Sequence, residues 1–200
     1  MEQENSSRVR HPNILPMAFK ITEVQSEAFP SAEAVATVLD RVGLSSDHIL
    51  NALRGFVCTA DFTSSSGYQQ SLAHELEAHL KSALSAYGMR SAYDRKYCPN
   101  LMEHADVVLR KDGSDQRLFI EIEFRPNVEK DLVKFQIGYN SGWLGVGILI
   151  LAINRDALNR GYKTMPEYKK FLAVIRELKV SYPLLVCGIN GEHVPTGTTG

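Results

Sequence analysis

Two stretches of the sequence decide the fold: Glu103-His-Ala-Asp-Val-Val-Leu-Arg110 and Leu118-Phe-Ile-Glu-Ile-Glu-Phe-Arg125. Their hydrophobic pattern has the period of two that is typical of strands. Between them, Lys111-Asp-Gly-Ser-Asp115 contains Asp-Gly, a strong signal for a tight hairpin turn. We therefore predict a hairpin made of strands over Ala105–Arg110 and Arg117–Phe124.

Three carboxylates converge on this predicted hairpin. Glu121 and Glu123 share one face of their strand, roughly 7 Å apart, and a hairpin centred on the turn brings Asp106 opposite Glu121. Carboxylates this close repel each other, and a cation such as Mg²⁺, which prefers oxygen ligands, relieves the repulsion. The pattern indicates Mg²⁺ held by Asp106, Glu121 and the backbone carbonyl of Ile122. Glu123 would then orient or deprotonate a metal-bound water.

Other meanings of these residues stay open. A Glu-x-Glu pair on a strand is most often an ordinary solvated face, and only the opposed Asp106 favours a site. A glycosidase also uses two carboxylates, but they usually lie on separate elements, and the third carboxylate would have no role. His74 and His79 resemble a zinc motif, but their spacing of i, i+5 points the two rings apart.

The remaining sequence predicts an α/β fold with a mixed central β-sheet flanked by helices. Helical periodicity marks segments that begin after Ser31 and at Ser46 and others over Tyr68–Tyr87, Asn127–Asn140 and Pro166–Val180. Strands are predicted over Ile14–Ile21, Leu144–Ile153 and Pro183–Ile189. The second half therefore follows the order β-β-α-β-α-β, with a right-handed crossover between the Glu121 and Leu144 strands.

Composition restricts the class of protein. With 200 residues, 44% hydrophobic and 22% charged, the chain predicts a single globular domain over 1–200, with frayed ends at about 1–10 and 195–200. No apolar run is long enough to span a membrane, and no signal-peptide pattern begins the sequence. Three widely spaced cysteines favour a reducing, cytoplasmic compartment. A net charge of −1 argues against a generic basic nucleic-acid coat protein.

The order of motifs resembles the PD-(D/E)xK nucleases, and within them the BglII/BstYI-type restriction endonucleases. Fourteen residues separate Asp106 from Glu121-Ile-Glu123, a spacing that resembles that of the broader family. The subgroup's short strand end is similar to Glu121-Ile-Glu123, and its D-L-x-x-F/Y helix is similar to Asp131-Leu-Val-Lys-Phe135. Its V-G-V-x-I strand is similar to Val146-Gly-Ile-Leu-Ile150, and its final P-L-x-x-x-G-I strand is similar to Pro183-Leu-Leu-Val-Cys-Gly-Ile189. The resemblance covers about 103–189, and it implies a catalytic core over about 70–190.

The resemblance also implies roles for individual residues. Asp106 and Glu121 would be the metal ligands, and Glu123 would hold the position where most PD-(D/E)xK enzymes have Lys and where the subgroup has Glu or Gln. Ala105 replaces the proline of the family motif. The subgroup places a Glu or Asn from an earlier helix near the metal. Glu77 and Glu75 both qualify, and Glu77 is favoured because it lies nearer the apolar face of its helix.

The function implied is that of a type II restriction endonuclease, a homodimer that cuts a short palindrome in double-stranded DNA with Mg²⁺. Five basic residues are candidates for phosphate contacts: Arg125, Lys130, Lys134, Arg95 and Lys96. Two alternatives remain. One is a DNA repair or processing enzyme with the same fold, and the other is a non-enzymatic DNA-binding protein that kept the fold.

Overall fold

The computed structural model describes residues 17–58, 68–92, 105–124, 128–153 and 168–195. These ranges contain seven strands: β1 (Met17–Phe29), β2 (Val57–Cys58), β3 (Met89–Ser91), β4 (Val107–Lys111), β5 (Arg117–Glu123), β6 (Leu144–Ala152) and β7 (Leu184–Pro195). They also contain five helices: α1 (Ala32–Arg41), α2 (Ser46–Arg54), α3 (Tyr68–Ser85), α4 (Val128–Asn140) and α5 (Tyr168–Leu178). None of these helices is long and apolar enough to cross a membrane.

All seven strands form one mixed sheet in the order β2-β1-β7-β6-β5-β4-β3. Strands β5, β6 and β7 are parallel neighbours, and the other pairs are antiparallel. The parallel pairing of β5 with β6 confirms a crossover connection through α4, and its right-handed sense stays a prediction. The α/β class with a mixed central sheet is therefore confirmed.

Helices cover the sheet on both faces, and alternate residues of the central strands divide between them. On one face Leu118, Ile120 and Ile148 join the core formed with α1, α2 and α3. On the other face Leu149 and Phe119 pack with residues of α4 and α5. All nine residues of β6 are buried, which explains why its sequence is apolar at nearly every position.

The two longest strands, β1 and β7, run further than the sequence predicts. β1 was expected over Ile14–Ile21 but continues to Phe29, because it pairs with β7 along almost its whole length. β7 continues past Ile189 and ends at Pro195. The segment Arg90–Asn100, expected to be irregular, begins within β3, which pairs with β4. In each case a partner strand supplies order that local sequence does not encode.

Two contacts fix α4, the helix that follows the hairpin. A Cβ atom added at Gly147 of β6 would lie 3.0, 3.1 and 3.2 Å from three ring atoms of Phe135, so this glycine lets the helix approach the sheet closely. The buried hydroxyl of Tyr182 donates a hydrogen bond of 3.0 Å to the carbonyl of Leu132. These contacts determine how near the side chains of α4 lie to β5.

We expect Gly147→Ala to lower the free energy of unfolding by about 1–3 kcal/mol, because the new methyl group overpacks against Phe135. Urea denaturation measures the change. Phe135→Leu alone should also lower the free energy of unfolding. The double variant should lose less than the sum of the two single losses, because the smaller side chain leaves room for the methyl group. Strict additivity would contradict the proposed contact.

Candidate active site

The hairpin brings Asp106 and Glu121 together. The last cross-strand pair of β4 and β5 is Val107 with Ile120, and one step further Asp106 lies opposite Glu121. The predicted register of the hairpin is therefore confirmed. Because β4 begins only at Val107, Asp106 is outside the ladder, and its Oδ2 accepts a hydrogen bond of 2.8 Å from the N–H of Ile122.

This hydrogen bond also orients the backbone of Ile122. In an extended strand the N–H and C=O of one residue point to the same neighbouring strand. The carbonyl oxygen of Ile122 therefore lies on the same side of β5 as Asp106. This backbone oxygen and the Asp106 carboxylate therefore lie at the same end of the hairpin, beside Glu121.

Glu121 lies under α4 rather than on a solvated face. Its side chain is directed toward that helix, and the residue is only 3% exposed. The ammonium of Lys134 lies 2.9 Å from Glu121 Oε1 and 3.1 Å from Oδ1 of Asp131, one helical turn earlier. The ordinary alternative, in which this glutamate belongs to a solvated hairpin face, is therefore wrong for Glu121.

Sequence reasoning did not assign the pair Asp131 and Lys134 to the carboxylate site. The sequence places Asp131 only within a motif, and it predicts Lys134, like Lys130, as a phosphate contact. In the structure Lys130 is exposed, whereas Lys134 is buried and faces the carboxylates. The sequence signal for this pair is its spacing of i, i+3, which brings the acid Asp131 and the base Lys134 to one side of the helix.

Burial and mutual repulsion raise the pKa values of the carboxylates. Removal from water, followed by the charge of Asp131, raises the pKa of Glu121 to about 8. Burial also raises the pKa values of Asp106 and Asp131 above their usual range. Burial alone would lower the pKa of Lys134, but the charges of Glu121 and Asp131 and the hydrogen bonds to them raise it.

The cluster contains more acidic than basic side chains. When ionised, Asp106, Glu121 and Asp131 contribute three negative charges and Lys134 one positive charge, which leaves an excess of two. Asp131 Oδ2 is also buried and has no hydrogen-bond partner within the described residues. Both features fit a divalent cation, which would balance the excess charge.

The cluster is not arranged as a ready-made metal cage. Among the residues described, no three His, Cys, Asp or Glu side chains are grouped as in a metal site. Lys134 stands between two of the acids, and Asp106 is engaged with the backbone of Ile122. A cation at this end of the hairpin would therefore compete with an internal ammonium for Glu121.

The other predicted acidic residues surround this cluster. Glu123 is partly buried at the end of β5, two residues beyond Glu121. Glu77 of α3 is close enough for its charge to raise the pKa of Asp106, and it forms an ion pair with Lys81. Glu75 is exposed. Of the two helix glutamates considered, Glu77 is thus the one near Asp106, while its role and that of Glu123 stay predictions.

Three of the predicted basic residues, Arg125, Arg95 and Lys96, lie outside the described residues. Their assignment to DNA contacts stays a prediction, as does that of Lys130.

Comparisons with known proteins leave the function to be argued from this site. No family model matches the sequence, and no curated protein matches it. Seven chains of solved structures match it in three dimensions. Among them is the crystal structure of free BglII, which is 11% identical, covers 83% of this chain and 78% of its own, and has a TM-score of 0.43.

The raised pKa of Glu121 predicts how stability depends on pH in the metal-free protein. The carboxyl ionises near 4.5 in the unfolded chain but near 8 in the fold, so its ionisation favours unfolding. The stability that the neutral carboxyl contributes is fully present below pH 4.5, the pKa in the unfolded chain. It is lost as the pH rises toward about 8, the pKa in the fold. Gln mimics the neutral carboxyl, so Glu121→Gln should gain stability over the wild type by up to roughly 1.4 kcal/mol per pH unit in that window.

Urea unfolding with EDTA, at the two ends of this pH range, measures the difference. Glu33→Gln is the matched control, because Glu33 is an exposed glutamate of α1. Its difference from the wild type should stay nearly constant with pH. A Glu121→Gln difference that is equally independent of pH would show that Glu121 is ionised without penalty in the fold.

Proposed function

We propose that the chain is a Mg²⁺-dependent endonuclease with a PD-(D/E)xK core that hydrolyses phosphodiester bonds in double-stranded DNA. The observation that supports this most is the arrangement at the end of the hairpin. Asp106 lies opposite Glu121 and accepts a hydrogen bond from the N–H of Ile122, in a buried cluster that also holds Asp131 and only one ammonium group, that of Lys134. The motif resemblance, with Asp106, Glu121 and Glu123 in family order, is consistent with it.

In this proposal Asp106, Glu121 and the carbonyl of Ile122 would hold the Mg²⁺. When bound, the ion would polarise the scissile phosphate and make a bound water more acidic. Glu123 follows Glu121 on the same face of β5, where it would accept a proton from the attacking water. The water oxygen would form a bond to phosphorus as the bond to one nucleoside oxygen breaks, and the leaving oxygen would take a proton from solvent. Glu77 orients the site from α3.

The finer proposal is a homodimeric type II restriction endonuclease that cuts a short palindrome in the cytoplasm. It is supported by the resemblance of the motifs from Glu121 to Ile189 to those of BglII/BstYI-type enzymes. A two-fold symmetric DNA site would be matched by a two-fold symmetric protein. Lys130, exposed on α4, is proposed as a phosphate contact together with Arg125, Arg95 and Lys96.

Digestion of plasmid DNA tests the activity. With Mg²⁺ the wild type should produce discrete fragments, and EDTA should abolish them. Asp106→Asn and Glu121→Gln should each reduce the cleavage rate at least about 100-fold, because each removes a ligand charge from the metal. Glu33→Gln, at an exposed position on α1, should cleave at the wild-type rate.

The form of the product distinguishes the alternatives. A metal-dependent smear instead of fragments would favour a processing or repair nuclease. If the wild type fails to cleave, and if calorimetry shows no binding of Mg²⁺ or Mn²⁺, then the catalytic proposal is wrong. A non-enzymatic DNA-binding protein would then be the better explanation of the fold.

A further inference from the structure

Lys134 differs from the other lysines that the structure describes on α4 and α5. It is 9% exposed, whereas Lys130 one turn earlier is exposed, as are Lys169 and Lys170 of α5. An ammonium group is strongly hydrated, and it is buried only where charged or polar partners replace its water. Here those partners are Glu121 of β5 and Asp131 of the same helix.

The two partners hold Lys134 in different ways. The contact with Glu121 joins α4 to β5, and a metal ion bound to Glu121 would compete for it. The contact with Asp131 is formed within one turn of α4, so it does not depend on β5. Lys134 therefore keeps an anchor beside Glu121 even when the Glu121 carboxylate binds a cation.

The free oxygen of Asp131 strengthens this anchor. Oδ2 is buried and has no hydrogen-bond partner within the described part of the chain. An ammonium has three N–H donors, and Lys134 uses one on each carboxylate. When Glu121 turns to a metal ion, Asp131 still offers a second acceptor to the same ammonium.

The hairpin itself lacks a cation at the corresponding place. Position 123, which resembles the lysine position of most PD-(D/E)xK nucleases, is Glu in this chain. Among the described residues of β5, the only basic side chain is Arg117, at the opposite end of the strand from Glu121 and Glu123. Lys134 reaches Glu121 from the neighbouring helix and brings a positive charge to the same carboxylate.

We propose that Lys134 is a catalytic residue of this site, whose ammonium binds the scissile phosphate beside the metal ion, and that Asp131 is its positioning residue. This inference rests on the proposed nuclease function. The ammonium stabilises the negative charge that develops on the phosphate oxygens during attack by water, and it does so without transferring a proton. The helix thereby supplies the charge that the strand does not.

A competing role for Lys134 is that of a simple counter-ion, which neutralises the acids until a metal displaces it. The two roles predict the same metal binding but different cleavage. Removal of the ammonium should strengthen metal binding in both cases, because a competing positive charge is lost. Only a catalytic ammonium makes the cleavage step slower at saturating metal.

The experiment compares Lys134→Met, Lys134→Arg and Asp131→Asn with the wild type, and with Lys169→Met as a control at an exposed lysine of α5. Calorimetry with Mn²⁺ in the absence of DNA measures metal affinity. Single-turnover cleavage of plasmid DNA at saturating Mg²⁺ measures the chemical step. Thermal unfolding with EDTA reports whether each variant is folded.

Lys134→Met should bind Mn²⁺ at least as tightly as the wild type and cleave at least about 100-fold more slowly. Lys134→Arg keeps the charge and should recover part of the rate. Asp131→Asn should cleave about 10-fold more slowly or worse, because a neutral amide holds the ammonium less firmly. Lys169→Met should match the wild type in all three measurements.

A folded Lys134→Met variant that cleaves at the wild-type rate would overturn the proposal and leave Lys134 as a counter-ion. If that variant does not fold, Asp131→Asn decides in its place, and an unchanged rate in this variant overturns the positioning role. Failure of the nuclease proposal is distinguishable, since the wild type would then neither bind Mn²⁺ nor cleave. Tighter metal binding combined with slower cleavage is the result that neither a structural role nor a counter-ion role produces.

Discussion

The site depends on one constraint: Glu121 is buried between the sheet and a helix, where an ionised carboxylate is stable only with positive charge beside it. Water is excluded, since the residue is 3% exposed, and the resident positive charge is the ammonium of Lys134 at 2.9 Å. The nearby acids Asp131 and Asp106 oppose ionisation further. One ammonium does not neutralise three ionised acids, so without further positive charge the fold favours the protonated form of Glu121.

The surrounding strands and helices hold Glu121 and the charged groups beside it in place. The hairpin register brings Asp106 opposite Glu121 and fixes it on the N–H of Ile122. Gly147 allows Phe135 to pack directly on β6, so that α4 lies close enough for Lys134 to reach Glu121. Parallel strands buried on both faces provide a rigid base, since neither β6 nor the adjoining part of β7 faces solvent. Precise placement of charges on regular elements is what electrostatic stabilisation of a reaction requires.

Features that depend on neighbouring residues in the chain, such as a turn or a helix cap, are predictable from the sequence. The Asp-Gly turn fixed the register of the hairpin, and with it the juxtaposition of Asp106 and Glu121. The start of α1 after Ser31 is also predictable from capping chemistry, because the Ser31 hydroxyl accepts a hydrogen bond from the N–H of Ala34. What could not be predicted depends on partners distant in sequence. The extension of β1 to Phe29 requires β7, and the burial of Lys134 requires β5, which no periodicity within α4 reveals.

Under the proposed function, the buried ion pair would let the same residues serve stability and activity in turn. A cluster of ionised carboxylates would be strongly self-repelling in the metal-free protein. Lys134 reduces that repulsion, and its contact with Asp131 would hold it in place if Glu121 bound a cation. The excess of acids over bases would then favour cation binding, because the cation would replace the proton that the raised pKa keeps on Glu121. A fully neutralised cluster would be more stable, and it would not attract a metal ion.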